Sequence, residues 1–125
     1  MVQAAAQCWK GRSDEIAVPL LGAEFWKEGT EVSGVFDGFR EQKVGGLAFR
    51  LLLDSSLVID GEEEEVVELP SLTGMRYALQ SLRQKGYQSK KGDLWRVVCV
   101  GIKQAKKEGF SNSPEFEIEV IRKAA

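Results

Sequence analysis

Two short stretches of the chain set cations beside an aromatic ring: Phe39, Arg40 and Lys43 in one, and Lys103, Lys106, Lys107 and Phe110 in the other. These residue types suit a single-stranded polyanion. Ammonium and guanidinium groups follow the phosphates, while a ring face takes a base at about 1–3 kcal/mol per stack. Phe36, Arg50 and Arg96 lie on neighbouring apolar runs and would extend such a track across a sheet. Charge is distributed in the same sense: residues 1–75 carry 6 basic and 14 acidic side chains, residues 76–107 carry 9 and 1, and residues 108–125 carry 2 and 4. A net charge of −2 thus contains one strongly positive segment. It reads either as a polyanion-binding face or as a solvated surface that folding intermixes with acids.

Catalytic chemistry is poorly supplied. The absence of histidine removes the commonest general base and a frequent metal ligand. Cys8 and Cys99 form no CxxC pair, so neither a structural zinc site nor a disulfide framework is expected, which favours a reducing compartment. No glycine run has the spacing that cradles a nucleotide phosphate. Asp37, Glu41, Asp54 and Asp60 sit near candidate strand ends and leave a metal-dependent nuclease as a third class. The run of glutamates at 62–65 reads as a solvated turn. The expectation is a binding protein that is not an enzyme and uses no metal or cofactor.

The elements that must position these residues follow from periodicity. Residues 30–39 (TEVSGVFDGF) read as a first strand bent at a glycine bulge at Gly34, and residues 47–53 (LAFRLLL) as a second strand with Phe49, Leu51 and Leu53 facing the core. A turn at Asp60 and Gly61 leads to a short third strand at 66–69, closed by Pro70. Leu72, Met75, Leu79 and Leu82 then recur at helical spacing, with Ser71 as N-cap and Gly86 as stop. A fourth strand covers 94–100, with Trp95, Val97 and Cys99 on one side. The strictly alternating residues 115–121 make a fifth. Trp9, Trp26 and Trp95 are read as core or anchoring residues.

The order β-β-β-α-β-β predicts an all-β domain with one helix, a five-stranded oligonucleotide/oligosaccharide-binding (OB) barrel. Other small barrels and a sandwich remain alternatives. Residues 28–123 would form that domain and residues 1–27 a lead-in packed on it. At 125 residues, 43% of them hydrophobic, one core is expected. The apolar runs are all shorter than the roughly 20 residues of a spanning helix. With no secretory signal either, the prediction is a cytoplasmic protein without membrane contact.

Three segments in this order, residues 28–36 (EGTEVSGVF), 92–101 (GDLWRVVCVG) and 116–120 (FEIEV), resemble phage-type single-stranded DNA-binding proteins, the similarity running over roughly residues 28–121. The resemblance implies an OB-fold, coating of single strands without catalysis, and a role in replication or recombination. OB-folds bind along strands 2 and 3 and between the loops joining strands 1–2 and 4–5, the two loops that carry the basic and aromatic stretches. DNA is expected over RNA. The alternative is an OB-fold that binds a protein through an open edge or groove. An edge strand left free also suggests a homodimer.

Overall fold

The structure is a computed structural model and describes residues 6–10, 18–42, 46–104 and 113–123. Asp60 and Gly61 both adopt positive φ, 50° and 80°, as a two-residue type I′ turn requires. They join β2 (Leu47–Ile59) to β3 (Glu62–Pro70). Both strands run further than their apolar cores suggest. Leu57, Val58 and Ile59 pair with Glu64, Glu63 and Glu62, so the four glutamates belong to a strand and not to a turn. With β1 (Glu31–Glu41), β4 (Leu94–Lys103) and β5 (Ser113–Ile121) they form one antiparallel sheet in the order β3-β2-β1-β4-β5.

The helix α1 (Thr73–Gln84) stands between β3 and β4 in sequence. Its end is set by Gly86 at φ 94°, where the N–H of Gly86 donates to the Arg83 carbonyl and that of Tyr87 to the Leu82 carbonyl, a Schellman closure. Its start differs from expectation. Leu72 occupies the cap position without a side-chain bond, and the Ser71 hydroxyl instead donates to the Leu47 carbonyl at 2.5 Å. Ser71 therefore ties the helix to β2.

The sheet does not close into a barrel, for no ladder joins β3 to β5 among the described residues. It does coil. Pairing puts Glu41 and Leu47 at one end of β1, and Lys103 and Ser113 beyond the other. Yet Ser71 bonds Leu47, and Gly74, three residues on, lies so close to β5 that a Cβ there would collide with the Pro114 carbonyl and crowd Phe116. Three residues span at most roughly 11 Å, so the far corners of the sheet converge on the first turn of α1.

The concave side holds the core. Met75 and Leu79 descend from α1 onto Val32, Phe36, Leu51, Val67, Leu69, Trp95, Val97 and Cys99, with Ile118 from β5. Burial of such side chains stabilises the fold by about 1.5–3 kcal/mol each. The lead-in contributes Leu21 and Trp26, both buried, and Pro19 and Leu21 exchange backbone bonds with Glu68 on the outer edge of β3. Trp9 is 80% exposed and is not a core residue, unlike Trp26 and Trp95.

Candidate nucleic-acid interface

The bulge in β1 decides which way its aromatic rings face. It lies not at Gly34 but three to four residues later: Phe36 pairs with Leu51 and Phe39 with Phe49, so Asp37 and Gly38 together oppose Arg50. Gly38 takes φ 93°, open to glycine at little cost. Phe36 precedes the bulge on the core side, 3% exposed, its ring stacked on Trp95 at 4.5 Å between centroids. It is a core residue and cannot meet a base, contrary to its expected place on the binding track. Phe39 follows the bulge at the rim and is 63% exposed.

The three arginines of the expected track are each engaged by an acid. Glu68, 2% exposed on the convex side of β3, accepts two hydrogen bonds from Arg40, at 2.7 and 3.2 Å, and lies 3.5 Å from Arg50. Arg40, more than Arg50, holds the Glu68 carboxyl below its ordinary range against the opposing effect of burial. Arg96 pairs with Glu31 across the β1–β4 ladder at 2.5 Å. All three arginine side chains remain 39–51% exposed, and each guanidinium has more donors than its acid engages. Lys43, Lys106, Lys107 and Phe110 lie outside the described residues. Lys103 is exposed at the end of β4.

Sequence reasoning missed a second set of cations. Arg76, Arg83, Lys85, Lys90 and Lys91 are exposed on α1 and on the segment that follows it, and with Lys103 they form no ion pair among the described residues. The signal was present in the charge count for 76–107 but did not single out positions. Lys85 and Lys103 border a groove of about 1030 Å³ between α1 and β5, with Tyr77, Leu82, Pro114 and Phe116 among its walls.

The only acid in the positive segment, Asp93, is withdrawn from the surface. It is 1% exposed and accepts hydrogen bonds from Arg122 at 2.7 and 2.9 Å, from the Tyr87 hydroxyl at 2.6 Å and from the Lys90 amide at 3.0 Å. Tyr87 in turn accepts the indole N–H of buried Trp95 at 3.0 Å. The Arg122 bonds drive the Asp93 carboxyl far below its usual range, overcoming its burial. A depressed folded-state pKa gives stability that is complete above the unfolded-state value near ~3.9 and lost as pH falls below it. Asp93→Asn is expected to lower stability by about 2 kcal/mol at neutral pH, the scale of hydrogen bonds to a charged group. Urea midpoints should show that deficit shrinking below about pH 4. A deficit unchanged between pH 7 and pH 3 would contradict this account.

Asp37, Glu41, Asp54 and Asp60 are dispersed over the bulge, the end of β1, β2 and the hairpin turn. No group of three acids or cysteines is close enough to hold a metal ion among the described residues. No described helix is long and apolar enough to cross a membrane. No family model, curated protein or solved structure matches the chain.

Proposed function

We propose that the protein binds single-stranded nucleic acid with little sequence preference, DNA before RNA, on an OB-type sheet, as the resemblance to phage-type single-stranded DNA-binding proteins implies. One observation carries the reading: the positive charge of residues 76–107 survives folding. Its one acid, Asp93, is occupied by Arg122, and among the described residues only Arg96 of its arginines is paired, with Glu31. The other described cations of the segment stay exposed and form no ion pair among the described residues, with Glu115 and Glu117 sharing the groove that Lys85 and Lys103 border. Strand order supports it too, since β3-β2-β1-β4-β5 is the order of an OB barrel opened between its third and fifth strands.

Titration of a labelled 30-base oligothymidine at low salt tests the reading. Binding that weakens linearly on a log–log plot against salt is expected, with a slope of ~0.7 per phosphate contact. Failure to bind at low salt would remove the proposal. The groove between α1 and β5 favours a second reading, a protein-interaction module, which a chain that ignores oligonucleotides would leave standing.

A further inference from the structure

We infer that the β1 bulge builds a two-point nucleotide subsite in which Phe39 stacks a base and Lys91 holds the adjoining phosphate; the inference rests on the nucleic-acid reading above. Without the extra residue Phe39 would oppose Ala48 on the convex side, where Arg40 now stands. The bulge keeps it with Phe49 on the concave side, at a rim too open to cover it. A ring left 63% exposed at the end of a strand contributes little to the core but offers a face to a base.

Lys91 reaches the same bulge from the other side of β1. The Phe36 amide donates to the Asp93 carbonyl at 2.8 Å, and the Gly92 amide donates to the Phe36 carbonyl at 2.9 Å, so residues 91–93 run alongside β1. The Lys91 stem then crosses Gly38, where a Cβ would stand 2.9 Å from its Cε. Glycine at 38 takes the positive φ without strain and leaves room for the lysine above it. The Lys91 ammonium pairs with no acid among the described residues, Asp37 included, and is free for a phosphate one residue from the ring. Asp93, held by Arg122, fixes the turn at 90–93 through the Lys90 amide and so positions Lys91.

The test is titration of the full chain with labelled oligothymidine over a salt series. Phe39→Ala should weaken binding about 5- to 150-fold with the salt slope unchanged, and Phe39→Trp should retain affinity. Lys91→Ala should lower the slope by ~0.7, and Lys91→Arg should restore it. Thermal unfolding of each variant within a few degrees of the parent shows that the fold is kept. If the parent binds and Phe39→Ala and Lys91→Ala bind like it, the subsite is overturned while the function stands. If the parent itself does not bind, both fall together.

Discussion

Gly34→Ala is expected to cost about 3 kcal/mol and to lower the melting temperature by about 10 °C. The reason is position, not conformation, for Gly34 does not adopt positive φ. Like Val35 it pairs with β2 and β4 at once, opposite Leu53 on one side and Trp95 on the other. A Cβ there would overlap the Leu52 carbonyl oxygen, stand 2.9 Å from the Leu52 carbonyl carbon and 3.1 Å from the Leu53 Cα. All three are backbone atoms, so no side chain can swing away. The two strands must part, weakening ladder bonds at the crossing that joins the two halves of the sheet. Gly101→Ala is the control: it lies in β4, has nothing within 4 Å of the added carbon, and should change stability by no more than about 0.5 kcal/mol. Equal melting temperatures for the two variants would show that β1 and β2 are less closely apposed than described.

Gly34 and Gly38 show what the sequence could and could not convey. The sequence reads Gly34 as the bulge, because a glycine inside a strand pattern signals either a bulge or a close approach and composition does not separate them. The bulge falls at Asp37 and Gly38 instead, and one extra residue changes the face of everything beyond it. Phe36 lies on Trp95 and Phe39 at the rim, so two rings expected to serve one binding track differ in exposure. Local signals fared better. The Asp60-Gly61 turn, the helical spacing of Met75 and Leu79, the stop at Gly86 and the alternation of β5 each depend on neighbours in sequence, and each appears where expected. The partners of Arg40 and Arg96 stand 28 and 65 residues away, and nothing local announces them. The tail of β2 was missed because its polar residues, Asp54, Ser55 and Ser56, interrupt the apolar run, while ladder pairing with β3 resumes at Leu57.

Removing the unpaired lysines together is expected to have the largest effect on binding. Replacing Lys85, Lys90, Lys91 and Lys103 by alanine takes away four exposed cations that form no ion pair among the described residues. If each meets a phosphate, the log–log salt slope falls by ~0.7 per position, about 2.8 in all, and affinity at 0.1 M salt falls several hundredfold relative to its value at 1 M. Stability should hardly change, since exposed side chains outside ion pairs contribute little to the fold. The opposite change is available on the convex side. Glu68→Gln keeps the shape of the side chain but removes the negative charge between Arg40 and Arg50. The variant should be less stable, because a buried carboxylate that accepts bonds from Arg40 is replaced by a neutral amide. It should nonetheless bind a single strand about fivefold more tightly at 0.1 M salt, with a slope steeper by ~0.7, if the strand passes over β2 and β3. The two results together locate the path. A large loss in the lysine variant with no gain in Glu68→Gln puts the strand along α1, the turn before β4 and the end of β4. A gain in Glu68→Gln with no loss in the lysine variant puts it on the convex face of β2 and β3 and removes the charge segregation of residues 76–107 as its cause.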